Sequence, residues 1–437
     1  MLRQAKRALL GDLPAFSADP LSFAEERLAG QARPVPVRFA NRAVFLVARP
    51  DAVKHVLVDA AKDYGKSRYQ ARLRPLLGDG MITASGRRWA EARTAARPGL
   101  TGAELDHGVD LALGLVTRAV ARQARSLGAA VDLNELAGQL TMRMAAAALF
   151  HHLMDDETAL EVYRASRFLH RRITESMMRF IDLDSLLPTA KRARFLATIG
   201  RLDQLAAEIS REPRGVLAHL APLQAEHGPA VLRDEIMTLL FAGFETTAQV
   251  AAWVLYVLAS RPDLVEWLRA EADPLLGGGH DLPARSLREL KRARAVVDEV
   301  LRLYPSTWWV AREALRDDEL CGVKVAKGSP ILIVPWVLHR QPDLWPDPER
   351  FEPARFLDRA PAKFTFVPFG VGPRACVGMQ LARANVAAIA VLLVSAFDLL
   401  PLSGDIGGLR PIGGVTLAAP PGGLRASFHL RGRSKGG

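Results

Sequence analysis

The chain has 437 residues, 49% hydrophobic and 24% charged, a balance that excludes a disordered segment, a collagen-like repeat and a mini-protein held by cross-links. Its 58 Lys+Arg against 47 Asp+Glu give a formal charge of +11, but the arginines are scattered. No zinc-finger spacing, RNA-binding aromatic motif or basic tract accompanies them, so an acidic protein is the expected partner rather than nucleic acid. Two cysteines, Cys321 and Cys376, are too few for a disulfide framework; they fit a reducing, cytoplasmic setting in which a thiol serves as ligand or nucleophile.

The N-terminal run MLRQAKRALLGDLPAF is basic, but Gly11, Asp12 and Pro14 break its apolar stretch, so it lacks a signal-peptide core. Residues 34–48 alternate around a Phe39–Arg42 turn as a hairpin, and a helix-like run follows from Asp51. From about residue 88 to 304 the pattern is helical, with the glycine-rich stretch Leu276 to His280 as a surface loop. Ala311 to Pro335 reads as a second small sheet, and the last forty or so residues as hairpins and turns. The apolar segment Val386–Phe397 is shorter than the ~20 residues a bilayer needs, so it predicts a buried helix rather than a transmembrane span. The expected class is mainly α with small β-sheets. One domain would span 1–437, with a β-containing part near 30–85, a helical core near 86–305 and a loop-and-sheet region near 306–437.

Chemistry concentrates near the C-terminus. The segment FTFVPFGVGPRACVGMQLARANVAAIAVLL places a β-prone run, a Gly/Pro loop holding Cys376, and a long helix beginning near Val377. A sulfur at a helix N-terminus is favoured as thiolate, the soft ligand that haem iron accepts. Upstream, Glu299 and Arg302 sit three apart on one helical face; exposed, such a pair contributes a few tenths of a kcal/mol. Ala242-Gly243-Phe244-Glu245-Thr246-Thr247 puts a glycine and two threonines inside a long helix, where they cost propensity and call for a reason. Trp89 and Arg93, four apart, are donors suited to a carboxylate.

Together these motifs resemble the cytochrome P450 family. The haem signature F-x-x-G-x-x-x-C-x-G is met by Phe369, Gly372, Cys376 and Gly378, with Gly370 also in the loop. The resemblance implies a P450 fold with haem b between two long helices, Cys376 as its thiolate and metal ligand, and Arg374, Arg312, Trp89 and Arg93 on its propionates. It implies that Glu299, Arg302 and an arginine from P-x-R-F brace the cysteine loop. Arg355 is preferred for that role over Arg350 because of its distance to Cys376. It also implies that dioxygen sits beside Ala242, with Thr246 holding a proton-donating network and Glu245 helping to supply protons. The role of His339 is left open.

The implied activity is a monooxygenase that inserts one atom of O2 into a C–H or C=C bond of a lipophilic molecule. Electrons would come from a separate ferredoxin or flavodoxin and its reductase, docking near Arg87, Arg88 and Arg374, and the protein is expected to act as a monomer. The family places the pocket at residues 67–84, 165–190, Leu239 to Thr246, Ser306 to Val310 and the turn near Thr416. Leu239, Phe244, Trp308, Trp309 and Val310 make it apolar, while Arg68, Arg72 and Arg74 could bind a carboxylate. The alternatives are a peroxide-driven peroxygenase and a non-catalytic haem-thiolate sensor, both disfavoured by the Glu245–Thr246 pair. Gly370-x-Gly372-x-x-Ala375 also meets a dinucleotide-binding fingerprint, but no βαβ unit continues beyond it. His151, His152 and His170 read as helix-surface residues.

Overall fold

A computed structural model of the chain describes residues 10–178, 187–277, 282–404 and 408–431. Most of the Leu276–His280 loop and residues 179–186 of the expected pocket therefore lie outside the described residues. The helices that shape the site are α1 (Gly86–Ala96), α2 (Gly102–Gln123), α3 (Leu133–Phe150), α4 (Asp156–Met178), α5 (Ala190–Ile209), α6 (Ala230–Ser260), α7 (Pro262–Leu276), α8 (Lys291–Leu303) and α9 (Met379–Ala396).

The centre is α6. Its apolar residues run round the whole helix rather than down one stripe, and such a helix must be enclosed. Trp253 and Tyr256 are accordingly almost or wholly buried, and α2, α3 and α9 share its core. In α3 the run from Ala145 to Ala148 keeps side chains small, so the nearest atoms to a Cβ built on Gly243 would be Ala145 Cβ and Leu149 Cδ1, at 3.9 Å. Asp132 starts α3 by accepting from the backbone N–H of Asn134 and Glu135, satisfying donors that a helix start leaves open. Among the described residues, α6 and α9 are long and apolar enough to cross a membrane, but 72% and 61% of their apolar windows are buried inside the protein.

The hairpin forms where alternation places it, β1 (Val35–Phe39) against β2 (Arg42–Val47). The expected second sheet does not stand apart. β8 (Pro330–Ile333) pairs parallel with β2 and antiparallel with β5 (Val310–Ala314), and β3 (Tyr64–Lys66) closes the edge, giving one five-stranded sheet in the order β1-β2-β8-β5-β3. Burial explains the merger: all four residues of β8 are buried, so that strand needs a partner on each edge. Within the expected second sheet, β6 (Asp318–Leu320) and β7 (Val323–Val325) form a separate ribbon, and β10 (Ile412–Gly413) with β11 (Leu417–Ala418) forms another near the C-terminus. Strand β4 (Ala130–Asp132), hidden in the helical stretch, joins β12 (Arg425–Leu430) and β9 (Phe397–Pro401), all antiparallel. The described residues after α9 thus offer no βαβ continuation, and among them the dinucleotide alternative has no structural frame.

Helix α2 meets α3 at Gly108, where a Cβ would lie 2.3 Å from the Ala148 carbonyl oxygen. That neighbour is backbone and cannot swing aside. Gly108→Ala is expected to destabilise the fold by about 1–3 kcal/mol, read as a lower urea midpoint with an unchanged m-value.

Candidate active site

The loop carrying Cys376 is held from behind by a buried ionic network. Glu299 and Arg302 are both wholly buried, unlike an ordinary surface pair. Arg302 Nε and Nη2 donate to the two Glu299 carboxylate oxygens at 2.7 and 2.8 Å. Its remaining donors reach the carbonyls of His339, Pro348 and Arg350 at 3.0, 2.6 and 3.1 Å. Arg355 Nε donates to Glu299 at 3.2 Å, as does the Glu352 amide at 2.8 Å, while Arg350 contributes only its backbone carbonyl and pairs through its exposed side chain with Glu352. A buried carboxylate is tolerated when it is well hydrogen-bonded, and Glu299 accepts three hydrogen bonds at Oε1 and one at Oε2.

His339 extends this network to the loop. Its Nε2 accepts from the Val367 amide at 2.9 Å, and Gly370 N–H bonds back to the Val367 carbonyl. Burial, then Arg302 and Arg340, push His339 down to about 3, so it is the neutral acceptor this contact needs. From there the chain turns through Gly372, at φ +76°, where a Cβ would lie 1.9 Å from the Leu57 carbonyl oxygen. That glycine is required by neighbouring backbone rather than by a flat partner. The Cys376 amide then donates to the Phe369 carbonyl at 2.8 Å, and α9 begins at Met379, two residues later than the sequence pattern placed it.

Cys376 is exposed. Even so, burial among surrounding atoms raises its thiol, opposed by the Gly378 N–H and the charge of Arg93. The sulfur therefore borders an internal cleft, reachable by solvent yet walled by protein. The same cleft gathers cations. Arg374 lies over the Trp89 ring at 4.1 Å, and Arg93 lies 6.0 Å from the same ring. Burial, then Arg374, depresses Arg312 to about 10. No carboxylate pairs with Arg93, Arg312 or Arg374 among the described residues, and Arg374 Nη1 is buried without a partner. Lys66, which sequence reasoning missed, joins them from β3, in register with Arg312 on β5. Its Nζ donates to the carbonyls of Met81, Ile82 and Ala84, and burial, then Arg374 and Arg312, lower it to about 7. Cations gathered without counter-charge suit a ligand with carboxylates of its own, and the two propionates of a haem would meet that need beside the Cys376 sulfur. No short motif contains Lys66; only the strand pairing could have found it.

Helix α6 carries Ala242 and Thr246, half-buried and on one stripe, with the Thr246 hydroxyl bonded to the Ala242 carbonyl at 2.8 Å. Glu245 is buried, and Gln249 donates to it at 3.2 Å. Ser306 ties this stretch to the approach to β5 by donating to the Thr246 carbonyl at 2.7 Å. Trp309 and Val310 are half-buried there, and Leu239 is buried in the main core.

Several expected site residues are placed differently. Phe244 is wholly buried on the opposite side of α6 from Ala242, where its carbonyl accepts from Thr141 of α3. Trp308 packs into the sheet core near Phe16, because its indole N–H must reach the Gly414 carbonyl at 2.8 Å. His170 is not a surface histidine: its Nε2 bonds Thr416 Oγ1 at 3.0 Å and its ring stacks on Phe241. His151 ends α3 in a left-handed conformation rather than riding its surface. Arg68 is paired with Glu313, Arg74 with Asp79, and Arg72 donates to the Ser176 carbonyl, so these arginines are already engaged. Of the expected docking patch, Arg88 turns inward to Glu235 at 2.8 Å and Arg87 is neutralised by Glu91 and Glu226. A separate cavity of about 230 Å³ between α2, β4 and α3 shares no residue with this site; its Arg143 is already matched by Asp156.

Comparison with known proteins agrees with this geometry. Residues 34–424 match the cytochrome P450 family. Cyclooctat-9-en-7-ol 5-monooxygenase of Streptomyces melanosporofaciens is 31% identical over 423 residues, covering 91% of this chain and 88% of that protein. Cyclooctatin synthase of the same organism is 28% identical, with coverage of 94% and 92%. The chloroplastic protein LUTEIN DEFICIENT 5 of Arabidopsis thaliana is 30% identical, with coverage of 81% and 65%. The chain belongs to the cytochrome P450 family, an oxidoreductase of monooxygenase type whose family cofactor is a haem-thiolate iron.

His339 makes stability depend on pH. Its proton affinity is lower folded than unfolded, so the unfolded chain binds more protons and stability falls as pH drops below about 6.5. Between pH 7 and pH 5 this single group is expected to remove about 2 kcal/mol of unfolding free energy, a slope that His339→Gln should flatten in guanidinium titrations. Glu299→Ala, which strands buried Arg302, is expected to cost about 3–5 kcal/mol in the same assay.

Proposed function

We propose that this protein oxygenates a lipophilic, terpenoid-sized molecule, with haem b held by Cys376 on one side and the substrate against Ala242, Thr246, Trp309 and Val310 on the other. The observation that carries the reading is the set of unpaired cations, Arg93, Arg312, Arg374 and Lys66, gathered around one cysteine loop. The balanced reaction is RH + O2 + 2 electrons + 2 protons giving ROH + water. When bound, the haem supplies dioxygen binding and reductive O–O cleavage, assisted by thiolate donation.

The residues of the chain supply the rest. Arg93, Arg312, Arg374 and Trp89 would hold the propionates, and Lys66 fixes the segment beside them through the carbonyls of Met81, Ile82 and Ala84. Glu299, Arg302, Arg355 and His339 hold the loop of Phe369, Gly370, Cys376 and Gly378 against movement. Thr246 and Glu245 deliver the two protons. An acid beside an alcohol favours the oxygen-activating route over a peroxide-driven one or a sensor. Half-buried apolar residues lining the cleft fit a hydrocarbon skeleton, in keeping with the cyclooctatenol named for one relative. The net charge of +11 complements an acidic one-electron carrier, a ferredoxin or flavodoxin with its reductase.

The decisive experiment is the carbon monoxide spectrum of the dithionite-reduced protein. A strongly red-shifted Soret band, lost in Cys376→Ala, is the expected result; a Cys376→Ala protein that kept the band would sink the ligand assignment. Thr246→Ala should retain the band while diverting most of the reducing equivalents to hydrogen peroxide, measured as peroxide formed per NAD(P)H consumed.

A further inference from the structure

Glu245 and Gln249 are four residues apart on α6, and Gln249 Nε2 donates to Glu245 Oε1 at 3.2 Å. At 3.6 residues per turn, Gln249 projects between Glu245 and the stripe of Ala242 and Thr246. Its other end is unsatisfied: Gln249 Oε1 is buried and has no partner. A primary amide carries a donor at one end and an acceptor at the other, and a half-turn about its last torsion exchanges them. Facing a carboxylate, it offers N–H. Facing a protonated carboxyl, it can instead turn its oxygen to accept the acid's O–H, which gives the spare acceptor a use.

We propose that Gln249 is a positioning residue for proton delivery, its amide turning over as Glu245 gains and loses a proton so that the acid keeps a hydrogen-bond partner in both states. The inference rests on the reading of Glu245 as a proton donor. Each proton leaving the Glu245 O–H is replaced by one from solvent, and no covalent bond of Gln249 changes. An apolar residue at 249 could not partner either state. Arginine or lysine could hold only the carboxylate.

The titratable groups facing Glu245 come from α4. Tyr163 is raised to about 12 chiefly by burial, and its hydroxyl bonds the Asn134 carbonyl at 3.2 Å, so it stays protonated. Burial lowers His170, which is therefore neutral. Arg167 is the cation of the group; it bonds the Tyr163 hydroxyl at 3.3 Å and is exposed, linking this corner to solvent. None of the three donates to Glu245 within hydrogen-bond distance. The orienting contact falls to Gln249.

The test uses the holoenzyme as wild type, Gln249→Leu and Glu245→Gln. Infrared difference titration of the ferric, substrate-free protein follows the protonated-carboxyl band that Glu245→Gln removes. Gln249→Leu deletes a partner of both states, but the hydrogen bond to the ionised carboxylate is the stronger of the two, so its loss raises proton affinity. In Gln249→Leu the midpoint of that band should therefore move upward by about one pH unit, tenfold in proton affinity. Peroxide release per electron should rise several-fold, with a larger solvent isotope effect on turnover. If Gln249→Leu keeps the red-shifted carbon monoxide band but leaves both midpoint and peroxide yield at wild-type values, Gln249 is packing only and the proposal is wrong. Gln249→Met serves the same comparison if the leucine variant loses the band. A Glu245→Gln protein that turns over without extra peroxide would instead remove the proton-donor reading itself.

Discussion

The structure depends on one buried ion pair. Glu299 and Arg302 lie on the same helix with no solvent access, and desolvating them is worthwhile only because both carboxylate oxygens and every guanidinium N–H find partners. Those partners are mostly backbone, the carbonyls of His339, Pro348 and Arg350 and the amide of Glu352. The pair therefore fixes the path of an irregular segment that has little regular structure of its own. His339 passes the constraint to Val367, and Val367 to the turn before Cys376. A reactive sulfur on a loop gains its position from this stack of hydrogen bonds rather than from strand or helix geometry.

A second constraint is electrostatic, and its sign is opposite. Around Glu299 charge is fully compensated. Around Arg374 it is left uncompensated, with Arg93, Arg312 and Lys66 depressed by burial and, for the latter two, by the charge of Arg374. Such a cluster opposes folding by itself and would be relieved by a bound dianion. Lys66 also ties the cluster to the segment that precedes α1, since it pins the carbonyls of Met81, Ile82 and Ala84.

The central helix joins these two regions. Its stripe of Ala242, Glu245, Thr246 and Gln249 combines small, acidic, hydroxyl and amide side chains where the flanking positions are apolar. The cost in helix propensity at Gly243 and the threonines buys a polar seam in an otherwise greasy rod. Thr246 spends its hydroxyl on the Ala242 carbonyl, a local bond that can be exchanged for a ligand without unfolding the helix.

The sequence alone determined what depends on spacing: the helices with their proline ends, the hairpin at 35–47, the cysteine signature, and the candidates Glu299, Arg302, Ala242, Glu245 and Thr246. These are legible because helical periodicity and a ten-residue loop are short-range facts. Only the tertiary structure decided the rest. Strand β8 drew two expected sheets into one because its buried edges needed hydrogen bonds on both sides. Phe244 and Trp308 turned into cores, Arg88 turned to Glu235, and Lys66 and His339 acquired partners distant in the chain. Which way a side chain faces, and what charge it meets, is settled by contacts between residues far apart in sequence, and no local pattern encodes them.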